Sequence, residues 1–128
     1  MVVPDTCIWI EFLKHKEPVY STLMELLKKN QIMACEVVFA ELLQGAKDQQ
    51  EINQLLMFWE FLPKSKLDGL MIQSGEESAK KKYLSKGIGL MDSTLLTYSV
   101  ANDAEIWTID KKLKSIIPKE YQYTYGKI

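Results

Sequence analysis

Arginine is absent from this 128-residue chain, and all 16 basic residues are lysines. An arginine offers a planar fork that pairs with two phosphate oxygens at once, whereas a lysine offers a point charge. Any phosphate contact must therefore come from lysine ammoniums, backbone amides or a metal ion. The formal net charge of −1 also excludes an overall basic field of the kind that draws a protein onto nucleic acid.

Cysteine and histidine are scarce as well. Cys7 and Cys35 are the two cysteines and lack the C-x-x-C spacing, so a disulfide framework is not expected. A reducing compartment fits them best, with both as small core residues. His15 is the single histidine and lies in the polar stretch LKHKE, which predicts a surface position.

Long apolar runs are also missing. The longest stretch without a charge covers residues 93–102 and is too short to cross a bilayer. No basic region precedes an apolar core at the N-terminus, as it would in a signal peptide. With 47% hydrophobic and 26% charged residues, the composition is ordinary for a globular protein. We expect a cytoplasmic protein without membrane association, in which a single domain spans residues 1–128.

What the sequence does contain is an alternation of short β-like runs with helical patterns. Strands separated by helices are typical of a parallel sheet that is covered on both faces. The prediction is an α/β fold, a three-layer α/β/α sandwich with a central, mainly parallel sheet of about five short strands. The predicted strands cover residues 2–4, 31–34, 62–66, 105–109 and 121–125. The predicted helices cover residues 7–13, 18–27, 37–44, 48–61, 69–86, 92–102 and 111–117.

Four acidic residues stand in segments that otherwise look buried. Asp5 and Asp110 directly follow predicted strands, so both lie at the carboxyl edge of the sheet, where folds of this class bind ligands. Glu41 interrupts the apolar helix VVFAELL, and Asp92 follows GIGLM at the start of a helix. Burying a carboxylate is costly unless a partner compensates. The four positions therefore indicate a site.

Each of these acids also has a structural alternative. Asp92 and Asp110 suit the N-cap of the following helix, because aspartate accepts backbone N–H groups there. Glu41 suits the edge of an amphipathic face, and Asp5 suits a turn with Thr6. If the four carboxylates converge instead, their repulsion calls for a counter-charge. Oxygen ligands select Mg²⁺ or Mn²⁺, which predicts metal-dependent chemistry on phosphates or phosphodiesters.

The segments PDTCIWIEFL, AELLQGA, GLMDSTL and TID, in this order, resemble the PIN-domain family, in particular the VapC-type toxins of toxin–antitoxin pairs. The resemblance covers residues 3–113 and implies a Mg²⁺- or Mn²⁺-dependent endoribonuclease that hydrolyses RNA with metal-activated water. Matching the motifs implies these metal ligands in an acidic pocket: Asp5, Glu41, Asp92 and Asp110. It also implies that the hydroxyls of Thr6 and Thr108 orient water or a carboxylate, with Thr108 the stronger candidate.

The last motif departs from the family pattern. PIN domains often continue T-x-D into a second aspartate and a phenylalanine, whereas this chain reads TIDKKL, with Lys112 and Leu113. The second acid is variable in the family, so its loss does not imply an inactive site. The number of metal ions, one or two, stays open.

Lysines near the acids are the candidates for RNA contacts. Lys82 lies in the run AKKKYLSKG, and Lys111 and Lys112 directly follow Asp110. A solvated helix face is the alternative for the first run. The resemblance further implies a homodimer and a cognate antitoxin whose tail blocks the acidic pocket with a basic residue. The sequence does not identify the dimer surface, although these apolar residues of the early helices could supply it: Val19, Leu23 and Leu26.

Three other functions compete with a toxin nuclease. A receiver domain would need paired acids after the first strand and an aspartate after a middle strand, but Pro4 precedes Asp5, and QIMA and LPKSKL end without aspartate. A non-catalytic PIN-like scaffold would leave buried carboxylates without a function, which is costly. A housekeeping RNA-processing nuclease of the same fold stays open, and the sequence specifies no RNA target.

Overall fold

The computed structural model of this protein describes residues 1–125. Seven α-helices and two strands follow one another in this part of the chain, with 3₁₀ turns at Tyr83–Lys86 and Lys119–Tyr121. In chain order the elements are β1 (Val2–Pro4), α1 (Thr6–Leu13), α2 (Val19–Lys28), α3 (Glu36–Gln44), α4 (Gln49–Phe61), α5 (Leu70–Lys81), α6 (Leu90–Ala101), β2 (Glu105–Trp107) and α7 (Lys111–Lys114).

The sheet consists of β1 and β2, which run parallel with Val3 opposite Ile106. A single parallel bridge adds Ile32 beside β1, and another adds Gln122 beside β2. The prediction of an α/β fold with a parallel sheet is confirmed. The prediction of about five strands is wrong for the described residues, which form two.

Backbone donors that bond outside the sheet explain two of the missing strands. The segment 31–34 makes its one bridge, and then the Ala34 N–H donates to the carbonyl of Pro63 at 2.9 Å. Pro63 has no N–H to offer a neighbouring strand. The Ser65 N–H donates to the hydroxyl of Tyr98 at 2.8 Å. These contacts hold the chain between α4 and α5 against the core without a ladder.

Three helix boundaries differ from the predictions, and the other helices agree to within one residue. The helix predicted at 69–86 divides at Lys82, whose backbone is left-handed with φ 56°. The helix predicted to open at Asp92 begins at Leu90, after the N-cap Gly89. The last predicted helix ends at Lys114. Within residues 1–125, no helix has both the length and the apolar character needed to cross a membrane.

Aromatic side chains form the centre of the core. Trp9 of α1 is fully buried, and its ring centroid lies 5.2 Å from that of Phe39 and 5.3 Å from that of Phe58. Val3 and Ile106 are buried in the sheet. Truncating a buried tryptophan to alanine costs about 3–5 kcal/mol, so α1, which follows directly after Asp5, is firmly held.

The candidate dimer residues lie in this same core. Val19, Leu23 and Leu26 are 2%, 0% and 9% exposed, so they face their own chain and the prediction is wrong. Apolar spacing marks a helix face without saying which surface covers it. Large apolar side chains that are exposed lie on other elements, with Ile72 82% and Leu84 80% exposed.

The cysteines and the histidine fall largely as predicted. Cys35 is a buried core residue, and burial raises its pKa to about 11, so the thiol stays protonated. His15 is exposed. Cys7 forms no disulfide and is only half-buried, because it lies beside Asp5 at the edge of the core.

Candidate active site

Asp5 is buried at the carboxyl end of β1, with 6% of its surface exposed. Its backbone N–H donates to the Trp107 carbonyl at 2.8 Å, which holds it beside the end of β2. Its Oδ1 accepts the Thr6 N–H at 2.7 Å and so caps α1. Its Oδ2 accepts the Thr108 hydroxyl at 2.8 Å. Asp5 is therefore both the turn-forming residue of one alternative and a carboxylate held in place from the neighbouring strand.

Thr108 joins two of the acids. Its hydroxyl donates to Asp5 and accepts the Asp110 N–H at 3.0 Å. The second bond turns the chain out of the sheet directly after β2, which is why the strand predicted at 105–109 stops at Trp107. With 5% exposure, Thr108 is shielded from competing water. A sequence separation of 103 residues is thus closed by one hydroxyl group.

Glu41 is held by the other predicted threonine. The Thr6 hydroxyl at the start of α1 donates to Glu41 Oε1 at 3.0 Å, so it joins α1 to α3. Glu41 is half-buried rather than fully solvated. The alternative that it simply edges an amphipathic face does not account for a hydrogen bond to the residue next to Asp5.

Asp92 lies in the first turn of α6 and not at its N-cap, so the capping alternative is wrong for this residue. Burial, followed in order of size by the negative charges of Asp5, Asp110 and Glu41, raises the pKa of Asp92 to about 6. The other three predicted acids therefore lie within electrostatic reach of Asp92. Without a cation, such a group favours a proton on Asp92 below about pH 6.

Asp110 is the N-cap of α7, as its structural alternative predicted. Its Oδ1 accepts the N–H groups of Lys112 at 2.9 Å and Leu113 at 3.2 Å. Within residues 1–125, Oδ2 enters no hydrogen bond. Capping and a role in the site are compatible, because one oxygen fixes the carboxylate and the other stays available.

The donor set fits a hard divalent cation in its chemistry but is not preformed. Within residues 1–125, no three histidine, cysteine, aspartate or glutamate side chains stand close enough together to hold a metal ion as they are. Mg²⁺ keeps several waters and needs only one or two carboxylates. The site offers carboxylate and hydroxyl oxygens, which are ligands of that kind. The raised pKa of Asp92 shows that its carboxylate lies among other negative charges, which a cation would offset. Zinc would call for nitrogen and sulfur ligands.

The predicted RNA-contact lysines fall into two groups. Lys111 and Lys112 are exposed on α7, directly after Asp110. Lys82 is exposed between α5 and the 3₁₀ turn, where it lines a cavity of about 440 Å³. Its neighbours Lys80 and Lys81 form ion pairs with Glu76 and Glu77, at 3.7 and 3.0 Å. Those two belong to the solvated helix face that was the alternative.

Two residues at the site escaped sequence reasoning. The Cys7 thiol donates to Asp5 Oδ2 at 3.7 Å and lies 3.6 Å from the Thr108 hydroxyl. Burial raises the pKa of Cys7, so the thiol acts as a weak donor and not as a thiolate. Gly87 lies against the side chain of Lys112. Two sequence features could have indicated these residues. Cys7 lies two positions after Asp5, and Gly87 is the first glycine of the G-x-G in GIGL.

Comparison with known proteins agrees with the motifs. The family model described as PIN domain matches residues 2–117. A solved structure of VapBC2 from Rickettsia felis, bound to a DNA fragment from its promoter, contains a chain similar to this one with a TM-score of 0.69. The two chains are 25% identical, and the similarity covers 92% of this chain and 94% of the other. No match was found among curated proteins. The predicted resemblance is confirmed.

Proposed function

We propose that this chain, which belongs to the PIN-domain family, is a Mg²⁺- or Mn²⁺-dependent endoribonuclease and the toxin of a toxin–antitoxin pair in the cytoplasm. The observation that supports it best is the raised pKa of Asp92, to about 6, through burial and the charges of Asp5, Asp110 and Glu41. Acids from separate elements whose charges raise the pKa of Asp92 favour a bound cation, and Mg²⁺ suits phosphate substrates.

An extended substrate suits the surroundings of the carboxylates. Three of the cavities on the described surface, of about 400 to 440 Å³, are lined by residues other than the four acids. A small-molecule enzyme normally encloses its substrate in such a cavity. A polynucleotide that lies across the surface needs no enclosure.

In this proposal each side chain has a distinct role. Asp5 and Asp92 would hold the divalent ion, and Asp110 would complete the acidic group through its second oxygen. A bound Mg²⁺ would polarise the phosphodiester and lower the pKa of a coordinated water. Glu41, fixed by Thr6, accepts the proton of the attacking water. Thr108 keeps the carboxylate of Asp5 oriented. Hydrolysis leaves a 5′-phosphate and a 3′-hydroxyl.

Lys111, Lys112 and Lys82 supply the positive charge that RNA requires beside an acidic site. We further propose a cognate antitoxin that inserts a basic side chain among the carboxylates, since a cation there relieves the repulsion that raises the pKa of Asp92. The similarity to a chain of the VapBC2 structure supports such a partner.

We also propose that the protein is a homodimer through the exposed apolar surface of α5 and the 3₁₀ turn, where Ile72 and Leu84 are 82% and 80% exposed. Light scattering after gel filtration tests this directly. Wild type should be a dimer and Leu84→Lys a monomer, and a monomeric wild type would refute it.

The nuclease assay uses the purified protein, separated from any antitoxin, with total cellular RNA. Discrete cuts are expected with Mg²⁺ or Mn²⁺ and none with EDTA. Glu41→Gln should abolish the cuts, whereas Glu36→Gln, which removes an exposed carboxylate from the same helix, should leave them unchanged. Cutting that survives EDTA and Glu41→Gln would mean a contaminant and would defeat the proposal.

A housekeeping RNA-processing nuclease of this fold is the second candidate, because the same site would serve it. Growth arrest on expression, relieved by co-expressing a small neighbouring gene, distinguishes the toxin. Folded protein that binds RNA without cutting it in any metal would indicate a non-catalytic scaffold.

A further inference from the structure

Lys112 occupies a defined position beside the acidic site. Its backbone N–H donates to Asp110 Oδ1 at 2.9 Å, inside the first turn of α7. The buried Leu113 follows and anchors that turn in the core. The base of the Lys112 side chain is therefore fixed relative to Asp110, although the side chain itself is exposed.

The far end of the same side chain lies against Gly87. A β-carbon placed on Gly87 would lie 3.0 Å from Lys112 Nζ, 3.2 Å from its Cδ and 3.4 Å from its Cε. Gly87 also has a left-handed backbone, with φ +78°. Any other residue would be strained there and would displace the lysine. Gly87 thus forms a shallow seat for the stem and the ammonium of Lys112.

The two residues of the seat flank two of the acids along the chain: Gly87 precedes Asp92, and Lys112 follows Asp110. Gly87 precedes Gly89, the N-cap of α6, whose first turn carries Asp92. Lys112 therefore spans from the residues after Asp110 to the loop before Asp92. Its ammonium lies against Gly87, in the loop that leads into the helix of Asp92.

The Lys112 ammonium forms no ion pair with the described residues. Within residues 1–125, the ion pairs are Lys29–Glu25, Lys80–Glu76 and Lys81–Glu77, all between neighbouring turns of one helix. Lys112 lies next to Asp110 in sequence, but only its backbone contacts that carboxylate. The Lys112 ammonium therefore lies on Gly87 without an ion pair to a carboxylate of the described residues.

We propose that Lys112, seated on Gly87, binds an RNA phosphate next to the one that is cleaved. The inference rests on the proposed nuclease function and adds to it the site on the protein that holds the substrate. RNA approaching the four acids is repelled, and a chain without arginine has only lysine and backbone donors to offset this. An ammonium positioned on Gly87, in the chain next to Asp110, would offset the repulsion and fix where the RNA backbone binds.

Binding is measured in an Asp5→Asn background, so that RNA is held without being cut. The probe is a fluorescently labelled single-stranded RNA, followed by anisotropy at several salt concentrations. Lys112→Met removes the charge and keeps an apolar stem on Gly87. We expect about tenfold weaker binding and a salt dependence that is smaller by about 0.7 of a counterion. Lys112→Arg should bind within threefold of the parent.

The matched control is Lys28→Met, which removes an exposed lysine from the last turn of α2. It makes the same change in net charge, and binding should stay within twofold of the parent. Gly87→Ala should weaken binding about threefold by displacing the lysine, and circular dichroism melts confirm that each variant is folded.

The outcomes separate the inference from the function on which it rests. If Lys112→Met binds RNA as tightly as the parent, or weakens binding no more than Lys28→Met does, Lys112 does not bind a phosphate. The proposed nuclease function is not affected by that result. A parent that binds no RNA at low salt, together with wild type that cuts none, overturns both.

Discussion

The two edges of the small sheet both carry acids, yet they differ in what surrounds those acids. At the amino edge, Asp103, Glu105 and Glu120 line a cavity of about 410 Å³, and Asp103 and Glu120 are exposed. At the carboxyl edge, Asp5 is 6% exposed and accepts a buried threonine hydroxyl. Water already compensates the exposed acids, whereas buried ones depend on fixed donors and on a cation.

Fixed donors, and not the number of charges, therefore distinguish the candidate site. Thr6 of α1 donates a hydrogen bond to Glu41, and Thr108 after β2 donates one to Asp5. Asp110 accepts N–H groups from the first turn of α7. Helix N-termini favour negative charge, and two of these acids cap one. The four predictions below test whether the carboxyl edge alone performs the chemistry.

The largest effect on RNA cleavage is expected when one acid at each edge is replaced by asparagine, in separate variants. Asp5→Asn should reduce metal-dependent RNA cleavage at least a hundredfold, because a bound metal is worth several kcal/mol in the transition state. Asp103→Asn should change it less than twofold. Initial rates on a defined RNA measure both, and equal losses would mean that the two edges do not differ in function.

A smaller effect is expected from the hydroxyl that orients Asp5. Thr108→Val keeps the shape but removes a donor to Asp5 and an acceptor for the Asp110 N–H. We expect metal affinity to fall about tenfold, as for other residues that orient metal ligands. Thr97→Val, which loses a bond to the Ser93 carbonyl on α6, is the control and should leave Mn²⁺ affinity unchanged in calorimetry.

The raised pKa of Asp92 predicts a pH dependence of stability. Its folded-state pKa of about 6 lies above the ordinary 3.8, so folding favours the protonated carboxyl. Its stabilising contribution is present at pH 4 and is lost as the pH rises through about 6. For the metal-free protein at pH 7.5, Asp92→Asn should therefore be more stable by about 1 kcal/mol after solvent screening of a half-buried group.

Urea denaturation in EDTA at pH 4 and pH 7.5 measures this difference. The two proteins should converge at pH 4. Added Mg²⁺ should stabilise wild type at pH 7.5 and not Asp92→Asn, because the ion binds the charged carboxylate of the folded state. If the two proteins differ equally at both pH values, titration of Asp92 is not the cause.

The smallest effect is expected at Cys7. Its thiol lies 3.7 Å from Asp5 Oδ2, and a thiol is a weak donor. Cys7→Ala should keep RNA cleavage within threefold of wild type and should lower the free energy of unfolding by no more than about 1 kcal/mol. A loss as large as that of Thr108→Val would show that the thiol, and not only the hydroxyl, orients Asp5.

The sequence by itself determined the local features of this protein. Strand-ending acids, helical spacing and the four motifs identified the α/β class, most helix boundaries and the residues of the candidate site, because each depends on neighbours a few positions away. It also placed Asp110 correctly at a helix cap.

The tertiary structure decided what depends on distant partners. Ile32 and Gln122 form single bridges instead of full strands, because the Ala34 N–H bonds to the Pro63 carbonyl and the Gln122 N–H bonds to the Lys119 carbonyl. The burial of Leu23, the hydrogen bond from Thr6 to Glu41 and the contact of Lys112 with Gly87 join residues from separate elements. Periodicity specifies which face of an element is apolar or charged, but only packing specifies which surface that face meets.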